Sequence, residues 1–224
     1  MQGRYERNFP AISEAEFQLL RSKRVFVAGC GGLGGYLIEL MARLGVGSIR
    51  AVDGDVFDVS NLNRQLLSQE PLIGQSKASC AALHCQSINS DVQFEGIHTY
   101  ITQNNAQELI RDCDIVLDGL DNIQSRKILA KACQDAKIPY VYGAISGWVA
   151  QAAISMPGDG LIQTLYPEGT ELGDKSVLSF TPALCASMQA ALCTKLLIGR
   201  PVETGTIYYF DLLNQEFETI GMVV

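Results

Sequence analysis

The sequence predicts an α/β fold: a Rossmann-like parallel sheet with helices on both faces, extended by antiparallel strands in the C-terminal third. Three features carry this expectation. From Arg24 onward, short β-rich apolar runs alternate with helical segments. A glycine-rich turn, GCGGLG at 29–34, joins the first such run to the first such helix. Beyond Ser146 the alternation gives way to strand-like runs around one long helix. Continuous apolar strands separated by helices imply a parallel sheet covered on both faces, with right-handed crossovers.

Taken in order, Ser13 and Glu16 form a capping box ahead of Phe17, Leu19 and Leu20, so a short amphipathic helix opens the fold within an arm over residues 1–22. A nucleotide-binding part over 23–146 follows. It runs RVFVAG, GYLIELMARL, SIRAVD, KASCAALHCQSI, VQFEGIH, the NAQELI turn and DIVLDG, a βαβαβαβ pattern, then a helix over 123–136 and the strand YVYGAI. The last part, 147–224, holds the strands WVAQAAISM, GTIYYFDL and QEFETI, the last two joined by a short Leu-Asn turn. Between 157 and 181 prolines and glycines without periodicity predict a long, mobile crossover loop. The whole chain, 1–224, reads as one elaborated domain.

Composition narrows the function classes. Lys and Arg total 17 against 24 Asp and Glu, a net charge of −7 with no basic run, which argues against a nucleic-acid partner. The longest apolar stretches, Val25–Cys30 and Leu192–Ile198, fall far short of a membrane span of roughly 20 residues, and the polar start MQGRYERNFP has no signal-like apolar region. The expected compartment is the cytoplasm. Seven cysteines without a CxxC pair signal neither a disulfide framework nor a tetrathiolate zinc site. They read as buried, reduced side chains, Cys185 and Cys193 sharing one helix. The two histidines, His84 and His98, lack a metal or triad partner and read as structural.

The glycine loop follows a strand and opens a helix, the context that gives GxGxxG its meaning. Gly29 permits the tight turn, Gly31 lets backbone approach a phosphate, and Gly34 lets helix and sheet pack closely. The helix N-terminus then offers unpaired N–H groups and a partial positive charge to an anion. Asp53 ends the next strand, where a carboxylate accepts from ribose hydroxyls. Two readings compete at this point. A dinucleotide oxidoreductase would need a nicotinamide pocket, whereas an ATP-using enzyme needs cations for the triphosphate and a carboxylate for Mg²⁺. DGDVFDVSNLNRQ at 53–65 and GQSKA supply Arg64 and Lys77, and GLDN supplies Asp121 at a strand's carboxyl end. Each has a plainer role available, Arg64 in a surface ion pair, Lys77 on a solvated helix face, Asp121 as a helix cap. Their coincidence at strand ends on one edge of one sheet favours ATP.

RYERN, GCGGLG, DGDVFDVSNLNRQ, GQSKA and GLDN, in this order and spacing, resemble the ThiF/MoeB/HesA family of adenylyltransferases, relatives of the ubiquitin-activating enzymes. The resemblance extends from about Arg4 to the final strands, and SNLNRQ is its most specific piece. It implies adenylation by Mg-ATP of the C-terminal Gly-Gly carboxylate of a small ubiquitin-like sulfur-carrier protein, giving an acyl-adenylate and pyrophosphate. By position it implies that Asp53 holds the ribose, that Asn61 and Arg64 contact phosphates, that Lys77 stabilises charge at the α-phosphate and that Asp121 holds Mg²⁺. Gly29, Gly31, Gly32, Gly34, Asp55, Gln65 and Asn122 complete the expected nucleotide contacts. Arg7 would reach the phosphates of a neighbouring subunit, which implies a homodimer.

The chain departs from the family pattern in two places. Many members carry two CxxC zinc pairs; here LIQTLYPEG and the terminal GMVV hold no Cys, so no zinc site is expected. The crossover loop also lacks the family's thiol, with Cys185, just past Pro182, the nearest substitute. Trp148 has two candidate roles, packing at the sheet edge or lining the groove for a carrier tail. Alternatives to the carrier-activating function are a tRNA-modifying dehydratase that adenylates a nucleoside carboxylate, and a nucleotide-binding module without turnover. Net charge weighs against the first and intact Arg64, Lys77 and Asp121 against the second.

Overall fold

The computed structural model describes residues 3–171, 173 and 176–222. One eight-stranded sheet organises them in the order β3-β2-β1-β4-β5-β6-β7-β8. Strands β1 (Arg24–Ala28), β2 (Ser48–Val52), β3 (Gln93–Ile97), β4 (Ile115–Asp118) and β5 (Tyr140–Ser146) are parallel. Strands β6 (Val149–Ser155), β7 (Thr206–Asp211) and β8 (Glu216–Gly221) then add antiparallel. The change of direction falls at the tight turn Gly147–Trp148, where Gly147 adopts φ +53°. Parallel strands need a helical crossover and antiparallel ones only a hairpin, so the loss of βα alternation after Ser146 registers this change in the sequence itself.

Helices cover both faces. Side chains of α1 (Glu14–Arg21), α2 (Gly32–Leu44), α3 (Lys77–Ile88) and α7 (Phe180–Leu197) build one core, with Leu20, Leu37, Met41 and Cys193 fully or almost fully buried. Those of α4 (Ala106–Leu109), α5 (Ile123–Ala136) and α6 (Leu161–Leu165) build the other, around Phe26, Val116 and Tyr142. The predicted capping box of α1 is present: Ser13 Oγ accepts from the Glu16 amide, and the Ser13 amide donates to the Glu16 carboxylate. Phe17 and Leu20 face the core, whereas Leu19 points to solvent.

Two sequence expectations are corrected. The 157–181 segment is not irregular throughout: it contains α6, whose Leu161 and Ile162 are buried, followed by buried Tyr166. The predicted mobility falls partly on Leu172, Asp174 and Lys175, which lie outside the described residues, as do the terminal Val223 and Val224. The loop also ends sooner than 181: α7 begins at Phe180, with Pro182 in its first turn, where the missing N–H would be unpaired anyway. No helix among the described residues is long and apolar enough to cross a membrane.

Candidate active site

A cleft of about 320 Å³ opens at the carboxyl ends of β1, β2 and β4, where strand order reverses between β1 and β4. Open α/β sheets bind ligands at such switch points. The glycine loop forms one wall. Gly29 sits at φ +88°, and a Cβ on Gly34 would lie 1.8 Å from the Gly29 carbonyl oxygen, so the turn closes only around glycine. α2 therefore starts directly against the cleft, and a helix N-terminus has unpaired N–H groups to offer an anion there.

Asp53 stabilises this turn from the end of β2. One of its carboxylate oxygens accepts from the Cys30 amide at 2.7 Å and the other from the Asp55 amide at 2.8 Å. Burial pushes its carboxyl above the usual value, against the pull of those amides and of Lys77. Lys77, the first residue of α3, is almost fully buried, and its ammonium lies 3.3 Å from the Asp55 carboxylate. Arg64 lines the same cleft, its Nη1 donating to the Ser60 carbonyl and Asn63 Oδ1, each at 2.8 Å.

Asp121 does not cap α5. Asn122 does, its Oδ1 accepting from the Ser125 amide at 2.8 Å, which leaves the Asp121 carboxylate exposed on the cleft wall. Gln65 is 7% exposed and also lines the cleft; its Oε1 has no hydrogen-bond partner among the described residues. Buried polar atoms are normally paired, so a group entering the cleft is the natural partner. Gly29, Gly31, Gly32, Asp53, Asp55, Arg64, Gln65, Lys77, Asp121 and Asn122 thus share one cleft, whereas Gly34 shapes it from behind. Asn61 does not line it: its Oδ1 accepts from the Asp58 amide and its carbonyl from the Arg64 and Gln65 amides, so it builds the turn that presents those two side chains.

Arg7 stands apart. The arm is anchored by buried Tyr5, which receives a hydrogen bond from Asn89, and by Asn8, which donates to the Leu44 carbonyl at the end of α2. Gly32, at the start of the 13-residue α2, is a helix length away, roughly 20 Å. Trp148 packs against Phe180 with ring centroids 5.0 Å apart, both rings remaining partly exposed, and does not line the cleft. Cys185 is no substitute thiol: it is fully buried, its Sγ lies 3.2 Å from the Gln151 carbonyl, and burial pushes its pKa up to about 12. His84 bonds Glu39 and His98 bonds Ser76, both outside the cleft.

Sequence reasoning missed Tyr100 and Arg126. Tyr100 lines the cleft from the segment after β3, and its hydroxyl donates to Asp55 at 2.7 Å. Arg126 is 4% exposed and pairs through Nε with the fully buried Asp118 at 2.8 Å. Its Nη1 donates to the Tyr166 hydroxyl, and its Nη2 to the Leu120 carbonyl at 2.6 Å and the Gly143 carbonyl at 3.0 Å. Burial disfavours the Arg126 cation, but Asp118 together with the hydroxyls of Tyr140, Tyr166 and Tyr142 more than offsets it, so its pKa lies above its ordinary value. A detectable signal existed: Arg126 falls at helical spacing on the buried stripe with Leu129, Ala130 and Cys133, where an unpaired cation would be too costly.

The ThiF family profile matches residues 5–222. The chain belongs to the ThiF family. Among relatives of this ThiF-family chain, SAMP-activating enzyme E1 of Haloferax volcanii is 34% identical over 209 residues, covering 90% of this chain and 77% of that protein. Sulfur carrier protein ThiS adenylyltransferase of Bacillus subtilis is 33% identical over 225 residues, covering 96% of this chain and 67% of that protein. In fold, the chain resembles E. coli MccB, solved with ATP: the TM-score is 0.85 over 99% of this chain and 71% of that one, at 20% identity.

Proposed function

We infer that the carboxylate activated by this adenylyltransferase is the C-terminal Gly-Gly carboxylate of a small ubiquitin-like sulfur-carrier protein, with Mg-ATP as the adenylyl donor. The carrying observation is the convergence of Lys77, Arg64 and Asp121 on one glycine-loop cleft. A carboxylate is already an anionic nucleophile. Its attack on the α-phosphorus, with the bond to pyrophosphate breaking, needs positioning and charge neutralisation more than a strong base. The names of the relatives support it: one is named as a SAMP-activating enzyme E1 and the other as an adenylyltransferase of the sulfur carrier protein ThiS.

In this reading the Asp53 carboxylate accepts from the ribose, the start of α2 and Arg64 receive phosphate oxygens, and Lys77 meets the charge that grows at the α-phosphate. Asp121 would hold Mg²⁺, an ion that takes one or two carboxylates plus phosphate oxygens and neutralises the triphosphate when bound. The exposed carboxylate of Asp121 and the orphaned amide oxygen of Gln65 fit such a ligand. The cytoplasm is the proposed compartment and the whole chain the proposed catalytic unit.

The decisive measurement is ATP–pyrophosphate exchange with a β-grasp carrier ending in Gly-Gly. Exchange should depend on that carrier and vanish when its terminal glycines are deleted. Exchange that ignores the carrier, or calorimetry showing tighter binding of NAD than of ATP, would sink the reading.

Arg7, a helix length from its own cleft, is proposed to act on the phosphates of a second copy in a homodimer. Mixing Arg7→Ala with Asp121→Ala subunits should then recover part of the exchange lost in each. No recovery in a preparation shown to swap subunits would count against a shared site.

A further inference from the structure

Asp55, Lys77 and Tyr100 come from three different segments and meet at one corner of the cleft. The ring of Tyr100 lies flat on Gly54, where a Cβ would sit 2.5 Å from its Cδ1, so only glycine lets the phenol come this close. Its hydroxyl donates to Asp55 Oδ1 at 2.7 Å, while Asp55 Oδ2 lies 3.3 Å from Lys77 Nζ. The two oxygens of one carboxylate are thereby divided, one holding the phenol and one holding the ammonium. The segment carrying Tyr100 is itself fixed, because Asn105 donates to the Tyr100 carbonyl at 2.9 Å and accepts from the Thr102 amide at 2.8 Å. Asp55 also ties down the backbone of Lys77, whose amide donates to the Asp55 carbonyl at 3.1 Å.

We propose that Tyr100 is a positioning residue which, through Asp55, fixes the ammonium of Lys77 for its work at the phosphates. The proposal rests on the adenylation reading of Lys77. An ammonium has three donors on a flexible four-carbon stem, so on its own it samples many positions. One N–H held by Asp55 leaves the others to reach into the cleft. Asp55 does this best with its own rotamer pinned, and the phenol on its second oxygen supplies that pin. Tyr100 is 65% exposed, so burial of its ring does not account for its placement.

Asp55 is the reporter. Burial raises its pKa, but Tyr100 and Lys77 together bring it below the usual carboxylate value; His98 adds to the lowering, and Asp53 is the neighbouring negative charge. Tyr100→Phe keeps the ring and removes only the hydroxyl. The variant should turn over ATP–pyrophosphate exchange about threefold to tenfold more slowly, the scale of one typical net hydrogen bond, with the KM for ATP within about twofold. In an Asp55→Ala background the same substitution should have no further effect. In the ligand-free protein, the Asp55 carboxyl resonance, assigned with Asp55→Asn, should titrate at higher pH in Tyr100→Phe than in the wild type. An equal loss of turnover in both backgrounds, a change in KM alone, or an unmoved Asp55 titration overturns the proposal. Absence of exchange from the wild-type protein would instead overturn the adenylation reading, and the titration would still decide whether Tyr100 holds Asp55.

Discussion

Lys77→Ala is expected to slow ATP–pyrophosphate exchange by about 10² to 10³ with little change in ATP affinity, the usual scale for one preorganised charge removed from a developing anion. The geometry sets this expectation. The ammonium is almost fully buried and held by Asp55, so its orientation needs little adjustment when negative charge moves toward the leaving pyrophosphate. An interaction stronger in the transition state than in the ground state appears in turnover, not in binding. Asp121→Ala should differ in kind: its carboxylate is exposed and caps nothing, so its loss should raise the Mg²⁺ concentration needed for half-maximal rate as well as slow the exchange. Rate against ATP and rate against Mg²⁺ separate the two. A Lys77→Ala variant that loses ATP affinity but keeps turnover would reassign the residue to ground-state binding.

How much of this site was legible depended on the distance over which each role is specified. Gly29, Gly34, Asp53, Arg64 and Lys77 lie in short motifs whose local structure positions them; Ser76, for one, caps the helix that Lys77 begins by accepting from the Ser79 amide. The parallel half was legible for the same reason: the central strands β1, from Val25, and β4, to Leu117, are buried apolar runs, and α3 and α5 have their own N-caps, Ser76 and Asn122. Asn61 illustrates a limit. Motif position made it a phosphate contact, but an Asn three residues after Asp58 can close a capping box, and the structure uses it that way. Helix α6 illustrates another. A five-residue helix has too little periodicity to read, and it is held by tertiary means: Leu161 and Ile162 enter the second core, and Asp159 accepts from the Leu161 and Met156 amides and the Ser155 hydroxyl. Tyr100 escaped because its partner Asp55 is distant in sequence and meets it only once the sheet is assembled, whereas Arg126 lies outside every motif and is marked in the sequence only by its place on the buried stripe of α5.

Arg126→Leu is the substitution expected to cost the most stability. Removing one member of a buried ion pair leaves the other charge uncompensated, a loss of about 3 to 5 kcal/mol. At 2 to 4 °C per kcal/mol for a domain of this size, the Tm should fall by roughly 6 to 20 °C. Pairing the change with Asp118→Asn should restore part of the loss, because the stranded carboxylate then disappears. The pH dependence follows from the same charge. Burial already raises the Asp118 carboxyl, with Arg126 the main opposing influence, and without Arg126 it should rise further. A carboxyl with a folded pKa above its unfolded value of about 3.9 binds more protons folded than unfolded, so it destabilises increasingly as pH rises through that window. The stability gap between wild type and Arg126→Leu in urea should therefore be small near pH 4 and widen toward pH 7. A gap that stays constant with pH, or a single variant within about 1 kcal/mol of wild type, would mean that the pair is not held as ions. The consequence reaches the cleft, because Arg126 also holds the Leu120 carbonyl immediately before Asp121. A destabilised but folded Arg126→Leu protein should thus share the raised Mg²⁺ requirement of Asp121→Ala, linking the buried pair beneath the site to the carboxylate on its wall.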